Sequence, residues 1–275
     1  MLPPPRTWLY VPGHNEHRIG KALASGADAI VIDLEDAVPV EAKSLARAGA
    51  RTAVLEHCER PDRPRIWVRV NAPASPWHDD DLAALRGTGV DGLRIPKVED
   101  CETIRTIADA TGLPLQPTVE SARGLLAAAE LASAHPLVAG IGLGEADLAA
   151  DLRVGRSGLD WARGWIVAAA RAAGLPSPIQ SVYTDVRDLT GLREDSVRGR
   201  ELGFHGRSVI HPDQIDCVND VFTPSDEQVR SARAIVDAAR IAAEKGSAAL
   251  LDDNGRFIDP AVVDQARVVL SLVHP

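Results

Sequence analysis

Residues 29–36 read Ala29-Ile30-Val31-Ile32-Asp33-Leu34-Glu35-Asp36. An unbroken apolar run, mostly β-branched, passes directly into a charged end. A strand with one wet face would alternate apolar and polar residues, whereas a run without alternation is buried on both faces, as in a parallel sheet covered by helices. The same pattern recurs along the chain. Ile66-Trp67-Val68 leads into Arg69-Val70-Asn71, Leu93-Arg94-Ile95 into Pro96-Lys97, and Pro117-Thr118-Val119 into Glu120. Ile141-Gly142-Leu143-Gly144 leads into Glu145-Ala146-Asp147, and Val209-Ile210 into His211.

Working outward from these runs, strands are expected over Thr7–Pro12, Ala29–Glu35, Ile66–Asn71, Gly92–Lys97, Leu113–Glu120, Val138–Leu143, Ile179–Asp185 and Phe204–His211. Helical periodicity lies between them, over His14–Ser25, Glu99–Ala110, Ser121–Ala134, Asp160–Ala173 and Thr190–Leu202, and after Asp36, where Pro39 marks a helix start. Gly26, Gly112, Gly174 and Gly203 stand where a left-handed cap residue ends a helix before the next strand. Strand–helix alternation implies parallel pairing, and eight such units imply a closed TIM (β/α)₈ barrel. After His211 the pattern changes: Ser225–Ala243 is amphipathic and Asp259–Leu272 is helical again. The expected organisation is a barrel core over 1–222 and a C-terminal helix and extension over 223–275. Ser225–Ala243 is read as the last barrel helix, and the extension as a segment that packs elsewhere, on a neighbouring subunit. No internal repeat beyond the βα unit is visible.

Composition narrows the function. The 275 residues are 45% hydrophobic but only 4% aromatic, so the core is built from Ala, Val, Leu and Ile. The formal net charge of -9 argues against a nucleic-acid footprint. No apolar run is long enough to span a membrane, and the N-terminal apolar stretch is too short for a signal peptide. Cys58, Cys101 and Cys217 are odd in number and widely spaced, which speaks against a disulfide framework or structural zinc and fits a reducing cytoplasm.

In a barrel, the strand C-termini converge on one rim, where active sites of this fold lie. That rim should gather Glu35, Asp36, Arg69, Lys97, Glu120, Asp147 and His211. Buried charges of this kind pair with one another, bind a cation or bind a charged ligand. Glu120 and Asp147 end neighbouring strands and suit Mg²⁺, which takes few carboxylates and keeps several waters; the alternative is that each caps its own helix. Gly142-Leu143-Gly144 invites a dinucleotide reading, but Asp147 occupies the third glycine position of that motif. His14, His17, His57, His78 and His135 read as solvated or structural, and Trp161 and Trp165 as packing residues.

Together these residues resemble the citrate lyase beta-subunit-like family of the HpcH/HpaI aldolase group. The matching pieces are Tyr10-Val11-Pro12-Gly13 with Arg18 and Lys21-Ala22, Ile32-Asp33-Leu34-Glu35-Asp36-Ala37-Val38, Arg69-Val70-Asn71 and Pro96-Lys97. Val119-Glu120-Ser121-Ala122-Arg123-Gly124, Gly144-Glu145-Ala146-Asp147-Leu148 and Ile210-His211-Pro212 complete the set. The resemblance implies a Mg²⁺-dependent carbon–carbon lyase acting on CoA thioesters of small hydroxy dicarboxylic acids, with Glu120 and Asp147 on the metal. It implies that Arg69 holds substrate oxygens, that Glu35 and Asp36 form an acidic pair beside the metal waters, and that Arg18, Lys21, Pro12 and Lys97 bind the coenzyme. It further implies that Gly255-Arg256-Phe257-Ile258-Asp259 covers a neighbouring subunit's site, with Asp259 as acid or base, in a trimer or larger homo-oligomer. Thioester hydrolysis, CoA-independent keto-acid aldol chemistry and non-catalytic acyl-CoA binding are the alternatives, and a carrier-protein partner is a further expectation. The family pattern has Thr where Ser121 stands, an acidic residue at position 146 rather than 145, and a residue between Asp259 and Pro260.

Overall fold

The computed structural model describes residues 4–244, 250–251 and 257–273. Eight parallel strands form one sheet: β1 (Thr7–Pro12), β2 (Ala29–Asp33), β3 (Arg65–Arg69), β4 (Gly92–Ile95), β5 (Leu115–Val119), β6 (Gly142–Leu143), β7 (Ile179–Gln180) and β8 (Gly206–Val209). Their order is β6-β5-β4-β3-β2-β1-β8-β7, so the two free edges belong to consecutive strands. Ser181 Oγ donates to the Leu143 carbonyl at 2.6 Å across that seam. The result is a nearly closed TIM barrel with helices at the C-terminus, as the alternating pattern predicts.

Helices α1 (Glu16–Leu23), α2 (Lys43–His57), α3 (His78–Leu85), α4 (Cys101–Thr111), α5 (Ala122–Leu126) and α6 (Ala128–Ala132) follow the first five strands. Then come α7 (Glu145–Leu152), α8 (Asp160–Ala172), α9 (Leu189–Glu201) and α10 (Ile215–Phe222). Gly26, Gly112, Gly174 and Gly203 all have the positive φ expected of cap residues. The expected Ser121–Ala134 helix is interrupted at Ala127 and becomes α5 and α6. The strand expected over Ala29–Glu35 ends at Asp33, because the Asp33 carboxylate accepts from the amides of Glu35 and Ala37 and turns the chain.

Two compact units are present: residues 5–219 contain the barrel, and the other comprises Pro4 and the described residues from Asp220 onward. In the latter, α11 (Asp226–Glu244) and α12 (Pro260–Ser271) pack together, and β9 (Leu250–Leu251) pairs antiparallel with β10 (Phe257–Ile258). The helix that directly follows β8 is α10, with Ile215, Val218, Val221 and Phe222 buried. Ser225–Ala243, read as the last barrel helix, is instead α11. Eight residues gave α10 too few turns to show a helical period in the sequence. No helix among the described residues is long and apolar enough to cross a membrane.

Residues paired across a parallel ladder point to the same side of the sheet. Trp8 pairs with Ala29 and Ser208, Val31 with Trp67, and Trp67 with Gly92. Trp8, Ala29, Val31, Trp67 and Ile179, with Tyr10 against them, fill the barrel's interior. A chain poor in aromatics thus spends two tryptophans here, their ring centroids 5.4 Å apart and tilted by 56°. Room for Trp67 comes from Gly92, where a Cβ would lie 2.4 Å from the indole ring and 2.8 Å from the Pro114 carbonyl oxygen. Gly92→Ala should therefore lose about 1–3 kcal/mol by overpacking. Gly20→Ala on exposed α1, where a Cβ meets nothing within 4 Å, should gain about 0.5–1 kcal/mol. Urea unfolding of the two variants checks the contrast; equal losses would contradict it.

Candidate active site

At the C-terminal ends of the strands, Asp33 closes β2 directly beside Arg69, which closes β3. Arg69 Nε donates to Asp33 Oδ1 at 2.7 Å and Nη2 to Oδ2 at 2.8 Å. The amides of Glu35 and Ala37 donate to the same two oxygens at 3.0 Å each. Burial by itself would raise the pKa of this carboxyl, which is 1% exposed. The Arg69 guanidinium and the two amides more than offset that and hold Asp33 below its ordinary range. The same pair lifts Arg69 well above its ordinary value despite desolvation. Sequence reasoning left Asp33 out of the polar set. Its signal was an acidic residue inside an otherwise apolar strand, one ladder step from an arginine.

With Nε and Nη2 committed, Arg69 directs Nη1 across the mouth, 3.1 Å from Glu35 Oε2 and 3.4 Å from Asp36 Oδ2. Lys97 Nζ donates to Glu35 Oε1 at 2.9 Å and lies 3.9 Å from Asp36 Oδ1. Glu35 is buried, and desolvation raises its pKa against the pull of Arg69 and Lys97. Asp36 is exposed. Lys97 has φ +56°, a left-handed backbone seldom adopted by side-chain-bearing residues. The turn carrying Glu35 is held from below by the buried Lys43 ammonium, which donates to the carbonyls of Leu34 (2.7 Å) and Glu35 (2.8 Å) and to Asn71 Oδ1 (2.7 Å). Asn71 is in turn fixed by buried Asp81, through its amide (3.0 Å) and Nδ2 (2.6 Å), and Arg47 Nε donates to Asp81 Oδ1 at 2.9 Å. His78 Nδ1 lies 2.7 Å from the Asn71 carbonyl oxygen, a structural role as read. The segment 72–81 thus delivers the start of α3 into this support.

Glu120 follows β5. The cap of α5 is its neighbour Ser121, whose Oγ accepts from the Gly124 amide at 3.1 Å. Gly144 caps α7 without a side chain, and Asp147 sits exposed in that helix's first turn. Neither carboxylate, then, serves as its own helix cap. Glu120 is 7% exposed, and among the described residues its buried Oε2 has no hydrogen-bond partner. It lies against Gly144, where a Cβ would meet Glu120 Cγ at 2.5 Å and Oε1 at 2.9 Å. Its pKa is pushed up to about 8, chiefly by desolvation, then by the negative charge of Glu35; Arg69 and Lys97 oppose the shift and Asp147 adds to it. Four charged groups of the mouth, Glu35, Arg69, Asp147 and Lys97, therefore act on Glu120. Among the described residues no group of three or more His, Cys, Asp or Glu is arranged around a metal. A hard cation held by Glu120 and Asp147 would keep waters in most of its shell, the ordinary habit of Mg²⁺.

The remaining candidates lie outside this cluster or are engaged locally. Arg18 and Lys21 are exposed one turn apart on α1, whose N-cap is Asn15. Pro12 ends β1, half-buried, on the same ladder level as Asp33. His211 accepts from the Asp213 amide and caps its own turn. Glu145 is held by Arg163, Nε to Oε1 at 2.9 Å and Nη2 to Oε2 at 2.5 Å, in a buried structural pair. Trp161 and Trp165, read as packing residues, are about half exposed; Trp165 Nε1 donates to the Leu125 carbonyl. Asp259 caps α12, its Oδ1 accepting from the Val262 amide at 2.9 Å, while Gly255 and Arg256 lie outside the described residues.

A family model described as HpcH/HpaI aldolase/citrate lyase matches residues 6–212. The chain is 38% identical over 273 residues to a (3S)-malyl-CoA thioesterase of Cereibacter sphaeroides, covering 98% of this chain and 94% of that protein. It is 35% identical over 284 residues to citrate lyase subunit beta of Escherichia coli, covering 97% and 92%. A crystal structure of CitE from Mycobacterium tuberculosis in complex with magnesium, acetoacetate and coenzyme A aligns with a TM-score of 0.78 at 30% identity, covering 97% of each chain.

The raised pKa of Glu120 links to stability. In the folded state the neutral form is favoured, so the contribution of this group is present below the ordinary carboxylate range and is lost as pH rises through about 8. Removing the charge should help only at high pH. In metal-free solution Glu120→Gln should exceed the wild type by roughly 1–3 kcal/mol at pH 8.5 and by little at pH 5. Urea unfolding at the two pH values tests this; a gap independent of pH would contradict it.

Proposed function

The chain belongs to the HpcH/HpaI aldolase/citrate lyase family, and from that premise we propose that its barrel mouth is the active site of a Mg²⁺-dependent carbon–carbon lyase. Its substrate is the CoA thioester of a small hydroxy dicarboxylic acid, of the malyl-, citramalyl- or citryl-CoA class. The observation that carries this reading is the buried, partnerless Glu120 Oε2, set among Arg69, Lys97, Glu35 and Asp147. An ionised carboxylate in such a place is costly until a cation completes it. Glu120 and Asp147 would hold that ion. When bound, Mg²⁺ supplies Lewis-acid polarisation of the carbonyl oxygen that forms on the keto-acid fragment.

The chain's own residues do the rest. Cleavage removes the proton of the β-hydroxyl, forms a carbonyl there, and sends the electrons of the broken carbon–carbon bond into the thioester enolate. Asp33 locks two of the guanidinium nitrogens of Arg69, so Nη1 is presented in a fixed direction to the oxygen on which charge changes. Glu35, whose pKa burial raises, would take the hydroxyl proton, with Lys97 steadying it and Asp36 beside it. Asp259 is the second candidate for proton transfer, arriving from the C-terminal segment of a neighbouring copy in a trimer or larger homo-oligomer. Arg18 and Lys21 would meet the CoA phosphates, with Pro12 and Lys97 the other residues expected on the coenzyme, Lys97 being engaged with Glu35 as well.

Thioester hydrolysis is the second reading, favoured by the likeness to a protein named malyl-CoA thioesterase. A product assay separates the two. Malyl-, citramalyl- and citryl-CoA are incubated with and without Mg²⁺; lyase activity yields keto acid and an acyl-CoA, hydrolysis yields free CoA and intact hydroxy acid. Arg69→Met should lower kcat by about 10²–10³, and Glu120→Ala and Asp147→Ala should abolish the Mg²⁺ dependence. Rates equal to wild type in both carboxylate variants would reject the reading.

A further inference from the structure

Arg94 stands on β4, in register with Arg69 on β3 and pointing to the same interior side. It is 3% exposed. Nη1 donates to the Tyr10 hydroxyl at 2.8 Å and to Ser208 Oγ at 3.2 Å, and Nε is buried without a partner. Among the described residues no carboxylate pairs with this guanidinium. Its positive charge is met only by neutral oxygens and by the faces of Trp8 and Tyr10, each centroid 5.5 Å away. A buried cation without a counter-ion is expensive. Every other arginine of the mouth and its support has one: Arg69 has Asp33, and Arg47 has Asp81.

The space beside Arg94 is open. A Cβ on Gly142 would meet one atom within 4 Å, Arg94 Nη2 at 3.7 Å. Two residues further along the same interior face, Gly144 underlies the Glu120 carboxylate. Arg94 Nη2 therefore lies beside Gly142, two residues before the glycine that underlies the carboxylate assigned to the metal. Tyr10 ties Arg94 to the mouth, because the Arg69 guanidinium carbon lies 5.2 Å from the centroid of the ring that Arg94 also faces.

The geometry points to Arg94 and the gap at Gly142 as a subsite for a second carboxylate on the keto-acid fragment. This rests on the lyase reading and narrows it. A malyl thioester releases a keto acid with one carboxylate, whereas a citryl thioester releases a four-carbon keto acid with two. The subsite selects the latter: the distal carboxylate enters beside Gly142 and supplies the counter-ion that Arg94 lacks, through charge-assisted hydrogen bonds.

The test is calorimetric titration of oxaloacetate and of pyruvate, which differ by that one carboxylate, into the Mg²⁺-loaded protein. Wild type should favour oxaloacetate by about tenfold or more, the scale of one charge-assisted contact. Arg94→Met should erase the preference while pyruvate affinity stays within about twofold. Gly142→Ala fills the gap without meeting any backbone, so it reads the same subsite even where Arg94→Met folds poorly; it too should erase the preference. Equal affinities in wild type, or a preference retained in Gly142→Ala, would overturn the subsite. Binding of neither acid to wild type would overturn the lyase reading and the subsite together.

Discussion

The bidentate ion pair between Asp33 and Arg69 is the constraint from which the mouth follows. A buried pair repays the desolvation of its charges only when its geometry is good and its remaining lone pairs are satisfied. Here both conditions hold, since the two Asp33 oxygens take the guanidinium and two backbone amides at once. The amide bonds also end β2 and throw Glu35 and Asp36 over the opening. Lys43, Asn71 and Asp81 then hold that turn from the helical side. Cations and anions across the opening are largely matched, but Glu120 is packed against Gly144 with an oxygen that no group among the described residues satisfies.

Glycine shapes the interior as much as charge does. Gly92 makes room for Trp67, Gly144 for the Glu120 side chain, and Gly142 leaves a gap facing Arg94. A side chain at Gly92 or Gly144 would displace the group packed against it, and one at Gly142 would fill the gap. The low aromatic content and the glycines around Leu143 thus belong to one design, a barrel interior built of a few large residues set against very small ones.

Much of this was legible before any coordinates. The strands were visible as short, mostly apolar runs alternating with helical periods, β7 and β8 by their place in that alternation more than by their own composition, and the charged strand ends followed because that rim is where the fold places polar residues. The four capping glycines were readable for a local reason, the positive φ they supply. What was not legible depended on partners distant in sequence. Asp33 looks like any acidic residue at a strand end until β3 brings Arg69 beside it. Lys43 and Asp81 lie on helices, where charged residues are ordinarily solvated. α3 begins with His78-Asp79-Asp80-Asp81 and buries only Leu82 and Leu85 as apolar contacts, too few to mark a period. Arg94 lies in an otherwise apolar strand, and that its charge faces the barrel interior follows only from the pairing of β4 with β3. Trp161 and Trp165 have the spacing of core residues yet stand half exposed, a difference the spacing alone does not carry.

The central claim is that Glu120 is the carboxylate the protein leaves for a cation. It is tested most directly by titrating Mg²⁺ into the metal-free protein at pH 7 in buffers of different ionisation enthalpy. With a pKa near 8, Glu120 is mostly protonated at that pH, and the account predicts release of close to one proton per ion bound. The proton release should vanish in Glu120→Gln. Binding of Mg²⁺ with no proton released, or with the same release in Glu120→Gln, would contradict it.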